Sequence, residues 1–255
     1  MKKMVVLFFL FGCARVIDYY DPDLPAKWDA NYLRSIGGIT VSISHDFGEL
    51  DGLQYNEDGL HMFESMAKRW DDAVPWIDFF SFPFDMVNNL DYSSEKAYKD
   101  NQMGIYNSTS WKISDDPTIL AATSYYGKTR NGYKVLTHVD IIVNDKYHNF
   151  TFDPNEWGKF YLPCIILHEL GHMVGLPHSN EEGSVMVEAT HHGNNKCDLS
   201  LMDIQNIRDK YSDSNNSRSP ASSYTEDYQE NERHGEVYFG THKLRVNGSC
   251  IHERI

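Results

Sequence analysis

His168-Glu169-Leu170-Gly171-His172-Met173-Val174-Gly175-Leu176-Pro177-His178-Ser179 is the stretch that decides how the chain is read. Residues four apart share one face of a helix, so His168 and His172 present two imidazoles to one point. At about 100° per residue, Ile166, Leu167, Leu170, Met173 and Val174 fall on the opposite side. One face carries histidine and the other is apolar. Gly175 stands where a helix ends in a left-handed cap, and Pro177 soon after cannot continue it. The chain turns there, and His178 swings back as a third nitrogen ligand. Three neutral nitrogens suit zinc and leave a fourth position open, which is the mark of a catalytic site. Glu169 lies roughly 100° round the helix from His168, close to the metal but not needed as a ligand. A carboxylate so placed can take a proton from water at the metal. This set of residues at fixed spacing arises by accident on the order of once in ten thousand such chains.

The stretch resembles the zinc-binding consensus H-E-x-x-H-x-x-G-x-x-H of the metzincin metalloproteases. The resemblance implies a methionine-containing turn beneath the metal, and Gly183-Ser184-Val185-Met186 stands at a suitable distance. Ser179, directly after the third histidine, resembles the matrixin branch. Glu188 stands two residues after the turn methionine, where astacins and serralysins usually carry tyrosine. The implied fold is α+β: a metzincin-like zincin catalytic domain with a twisted mixed sheet, an edge strand, two long helices and a C-terminal helix. The implied activity is zinc-dependent endopeptidase action on protein or peptide. The implied cofactor is one catalytic Zn2+ on His168, His172 and His178, with Glu169 as general base and Met186 as the hydrophobic floor. Calcium is compatible with the likeness, which points to no site for it. A rival reading is a surface lipoprotein that binds protein partners around a structural zinc. The intact glutamate and ligands favour the enzyme.

With 255 residues, 41% of them hydrophobic and 13% aromatic, the chain has enough material for one sizeable core. A formal charge of −14 disfavours nucleic acid and anionic membrane surfaces as partners. Residues 1–13 read as an export signal: Met1-Lys2-Lys3 is the basic start, and the apolar run from Val5 to Phe11 is too short to span a bilayer. Leu10-Phe11-Gly12-Cys13 resembles a bacterial lipobox, which makes Cys13 the lipidated residue. The alternative is plain cleavage after Gly12 or Ala14. The expected location is therefore an exported one, either membrane-anchored as a bacterial lipoprotein or secreted. Cys164 reads as a buried thiol, and Cys197 with Cys250 as a candidate bridge.

Residues 14–37 read as a tether and 38–212 as the catalytic domain. Ile39, Val41 and Ile43 alternate as a half-buried strand does. Asn56 is a candidate cap for a helix to about Val74, whose stripe is Leu60, Phe63, Ala67, Trp70 and Val74. Residues 79–84 and 103–106 read as short strands. The run from Thr118 to Tyr126 and the run from Val135 to Val143 form a hairpin around Asn131-Gly132. In position the first resembles the edge strand along which matrixin substrates lie. An edge strand accepts an extended peptide as an extra strand, so Leu120, Ala121, Ala122 and Thr123 are the expected substrate-binding residues. His138 and Asp140 share a strand face and read as a structural pair. His191 and His192 read as exposed loop residues. Ser200 and Asp203 suggest a capping box on a final helix with Leu201, Ile204, Ile207 and Tyr211 on its apolar side. Residues 213–255 read as a polar tail, with 237–246 as a possible small hairpin that carries no evident chemistry. No cysteine stands between Cys13 and Ile39 to act as a latency switch, so activity without maturation is expected.

Overall fold

The computed structural model describes residues 26–47, 59–87, 102–130, 133–187, 189–190, 194, 197–212, 237–246 and 251–253. In chain order these form β1 (Ala26–Lys27), α1 (Ala30–Ile36), β2 (Ile39–Ser44), a 3-10 turn at His45–Phe47, α2 (Met62–Ala73), β3 (Phe80–Val87), β4 (Met103–Ser108), β5 (Ile119–Arg130) and β6 (Tyr133–Asn144). They continue with β7 (Phe150–Thr151), β8 (Phe160–Tyr161), α3 (Leu162–Met173), β9 (Ala189–Thr190), α4 (Leu201–Lys210), β10 (Val237–Val246) and β11 (Ile251–Glu253). Among the described residues the main sheet runs β11-β10-β5-β6-β4-β2-β3, with β1 joining β6 and β9 joining β10. Strands β2, β3, β4 and β6 pair in parallel, while β5 is antiparallel to β6 and β10 is antiparallel to β5. The α+β class with a mixed sheet is as expected.

Helices α2 and α3 pack on each other, α2 also on β3 and α3 on β5 and β6. Trp70 carries the contact: its ring is buried and its indole N–H donates to the Leu167 carbonyl at 3.0 Å. Phe63, Ala67 and Val74 are buried with it, as the stripe requires. The cap of α2 differs from expectation. His61 holds it: Nδ1 accepts from the Phe63 and Glu64 amides, and Glu64 Oε2 accepts from the His61 amide at 3.0 Å. Asn56 lies outside the described residues.

The domain also begins earlier than the expected boundary at 38. Trp28 is 1% exposed and Leu33 0%, and Ala26, Ala30 and Tyr32 pack against the core, so part of the expected tether is packed into the domain. Asp29 caps α1 through the Asn31 and Tyr32 amides, and Gly37 ends it with φ 72°. Cys164 and Cys197 form a disulfide, which corrects the reading of Cys164 as a thiol and of Cys197 as a partner for Cys250. The bridge ties the first turn of α3 to the segment before α4. Cys250, Cys13, Glu188, His191 and His192 lie outside the described residues. The final helix is capped as its sequence suggests, by reciprocal bonds of Ser200 and Asp203. Its apolar side is narrower, because Leu201 is 87% exposed while Ile207 and Tyr211 are buried.

The largest departure is at the far edge. β5 is not an edge strand: β10 pairs with it from Ile119 to Gly127, so Leu120, Ala121, Ala122 and Thr123 are covered on both sides and fully buried. The small hairpin expected within 237–246 does not form: those residues are a single strand, β10, antiparallel to β5 on one side and to β11 on the other.

Candidate active site

Helix α3 starts with Pro163 in its first turn, where a missing N–H costs nothing. It ends in paired reversed bonds: Gly175 N–H to the His172 carbonyl at 2.8 Å and Leu176 N–H to the Gly171 carbonyl at 2.9 Å. This is the geometry of a Schellman cap. Gly175 has φ 94°, and a Cβ there would strike the Ala26 carbonyl. The turn carries His178 back to the helix.

The three histidines meet as expected. Their candidate ligand atoms lie within 4.8 Å of one another. His172 Nε2 is 3.0 Å from both His168 Nε2 and His178 Nε2. On the outer side of two of the rings, His168 Nδ1 sits 2.7 Å from the Val185 carbonyl and His172 Nδ1 2.7 Å from the Leu176 carbonyl. A carbonyl only accepts, so both Nδ1 atoms carry the proton and both Nε2 atoms present bare lone pairs. Bare lone pairs 3.0 Å apart repel unless a cation lies between them. Tetrahedral zinc with nitrogens at about 2.0–2.1 Å spaces its ligands roughly 3.3 Å apart. The donor set therefore fits zinc. Burial pushes the His168 imidazole down to about 4, against the pull of the Val185 carbonyl. His172 is pushed well below its usual value by burial first and then by the neighbouring imidazoles of His242, His178 and His168. Both rings are thus held in the neutral, ligating form.

The methionine turn explains how His168 is aimed. Asp203 accepts from the Ser184 hydroxyl and, through Oδ2, from the Val185 amide at 3.0 Å and the Ser200 amide at 2.8 Å. Ser184 Oγ accepts from the Met186 amide at 3.0 Å. One carboxylate therefore caps α4, fixes the turn and sets the Val185 carbonyl that orients His168. Met186 is buried beneath the helix, against Gly171: a Cβ at Gly171 would collide with Met186 Sδ and sit 2.8 Å from Trp70 Cζ2.

Glu169 is fully buried beside the triad. Oε2 accepts from the Thr123 hydroxyl at 2.5 Å, and Oε1 has no hydrogen-bond partner among the described residues. The matrixin peptidase family model matches residues 56–212. The chain is a matrixin. No curated protein matches the chain.

Membership makes this matrixin a zinc metalloendopeptidase, with catalytic zinc as its cofactor and protein or peptide as its substrate. In this matrixin burial pushes the Glu169 carboxyl up to about 8, with the Thr123 hydroxyl pulling the other way. A dication held by the histidines favours the ionised form, against the effect of burial. Thr123, expected to bind substrate, instead turns its hydroxyl inward to hold Glu169. His138 and Asp140 form the structural pair their spacing suggests, 2.7 Å apart, with Asp140 also accepting from the Gly104 amide.

Two residues of the site are not visible in the motif. His242, on β10, lies flat on His172 with ring centroids 4.3 Å apart and 5° between planes, and stands edge-on to His178 at 5.2 Å. Tyr125 stacks on the other partner of the pair, His242, at 5.3 Å, and its hydroxyl is 3.2 Å from His242 Nε2. The sequence signal that something covers β5 is the run from Thr118 to Tyr126, which carries no charge to protect an open edge.

Proposed function

We propose that this matrixin cuts exported or envelope proteins by general-base hydrolysis, with Glu169 moving the proton. The observation that carries the reading is the asymmetry of the Glu169 carboxylate, one oxygen anchored by Thr123 and the other without a partner in a buried site. His168, His172 and His178 would hold the metal. Zinc, when bound, acidifies water and polarises a peptide carbonyl. Thr123 holds Oε2, so the ring of contacts leaves Oε1 to take a proton from the attacking water and hand it to the departing amine nitrogen. Met186 and the apolar face of α3 exclude bulk water from beneath.

The export reading rests on Met1-Lys2-Lys3 and the apolar run after it, and the anchor on Cys13 at the end of the lipobox-like sequence. Extracellular or envelope proteins are the substrates such a location provides.

The test is Glu169→Gln in the full chain. Gln keeps size and accepts hydrogen bonds but is not basic near neutral pH. Zinc content and folding should be retained while peptide cleavage falls ~100- to 10,000-fold, the usual worth of general-base work. His172→Ala should instead lose zinc. A Glu169→Gln protein that holds zinc and cleaves at the parent rate removes Glu169 from the mechanism.

A further inference from the structure

β10 lies in a groove with two walls. On one side it pairs antiparallel with β5, placing Thr241 opposite Ser124, His242 opposite Thr123, Lys243 opposite Ala122 and Leu244 opposite Ala121. On the other side Thr241 to Lys243 pair antiparallel with β11, and Arg245 and Val246 pair in parallel with β9, the short strand after the methionine turn. Side chains lock it in place: Ser124 and Thr241 hydroxyls are 2.9 Å apart, and Arg245 Nη2 is 2.9 Å from Asp116 Oδ2. Leu244 is buried and lines a cavity of about 650 Å³ beside His168, together with Ile165, Val185 and Leu199. His242 lies over His172, on the approach to the metal ligands.

An extended chain that adds to a sheet edge, drops a side chain into a pocket next to the metal ligands and crosses their face is doing what a peptide substrate must do. We propose that β10 is a built-in competitor of the substrate: it occupies the peptide groove in the resting enzyme, His242 covers the metal face, and cleavage requires β10 to leave. The proposal rests on the endopeptidase reading above. It supplies latency from the C-terminal side, and it bears against the expectation of unconditional activity.

Competition fixes what is measured. If the groove is open only a fraction of the time, the apparent affinity of any groove ligand is reduced by that fraction. The probe is an extended peptide hydroxamate, and the protein is the zinc-loaded full chain. In Leu244→Asp a charge replaces the buried aliphatic anchor of β10, and the hydroxamate should bind at least ~10-fold tighter than to the parent. Hydrogen exchange gives the second readout: those amides of 238–245 that pair with β5 should be protected in the free parent and lose protection when the hydroxamate binds. A second variant, Ser124→Cys with Thr241→Cys, joins β10 to β5. Its oxidised form should bind the hydroxamate at least ~10-fold more weakly than its reduced form, with the parent carried through the same treatments. No gain of affinity in Leu244→Asp, whether both proteins bind equally or neither binds, together with an oxidised pair that binds as the reduced one does, overturns the proposal. Ligand binding with the β5-paired amides of β10 still protected overturns it as well. A Leu244→Asp protein that gains hydroxamate affinity yet cleaves no peptide leaves β10 as the groove's occupant and refutes the endopeptidase reading instead.

Discussion

Removing the Asp203 carboxylate tests whether a helix cap governs a metal ligand. In Asp203→Ala three donors lose their acceptor at once: the Ser184 hydroxyl, the Val185 amide and the Ser200 amide. Asp203 is 0% exposed, so water does not readily replace it. Breaking a buried network of this kind costs about 3–5 kcal/mol. For a domain of this size each kcal/mol moves the melting midpoint by about 2–4 °C, so the midpoint should fall by roughly 6–20 °C. The more telling effect is on the metal. The Val185 carbonyl that orients His168 hangs on the same turn, and loss of such outer support weakens metal binding about 10- to 100-fold. Asp203→Asn is the control: its oxygen can serve both amides while its NH2 faces the Ser184 hydroxyl, so both losses should be smaller. Thermal melts and competition with a zinc-selective chelator measure the two effects. An Asp203→Ala protein with parent zinc affinity at a temperature where it is folded would refute the link from cap to ligand.

Two other outcomes follow, one from the geometry and one from the sequence. Gly171→Ala pushes a methyl into Met186 and Trp70 and should cost about 1–3 kcal/mol by overpacking, read as a lowered melting midpoint; an unchanged midpoint would mean that α2 and the turn give way freely. If the protein is exported and lipidated at Cys13, Cys13→Ser should move it from the membrane fraction to the soluble one, and a parent already soluble outside the cell would rule out the lipid anchor.

What could be read from sequence was local. The two helical histidines, the Gly175 turn and the Ser200 to Asp203 box are fixed by spacings of three to seven residues, and each stands as its spacing suggests. What could not be read depends on partners far along the chain. Gly171 looks like any small helical residue until Met186 and Trp70 are seen against it. Asp203 announces itself as a cap, but not as the anchor of a turn 18 residues earlier. The pairing of Cys164 with Cys197 follows from where α3 meets the segment before α4, which no spacing rule supplies. β10 was the hardest case: its residues read as a small hairpin of the tail, and nothing local says that they form one strand or which sheet edge it will join. His242 reached the site only through that choice.

The end of α3 has a further consequence, for how distant changes reach the site. The last carbonyls of a helix have no partner within it. Here the Met173 carbonyl accepts from the Trp28 indole at 2.8 Å and the Val174 carbonyl from the Tyr211 hydroxyl at 3.0 Å, while the Tyr211 oxygen accepts from the Trp28 amide, 183 residues away in sequence. The final turn before Gly175 is thus clasped by two aromatic residues that bracket nearly the whole catalytic chain. Neither touches the histidines, and one precedes the matched family region altogether. The turn that delivers His178 is tied to both distant ends of the domain as well as to its own local cap, so a change at Trp28 or Tyr211 reaches the metal ligands through the last turn of α3 and not through the motif itself.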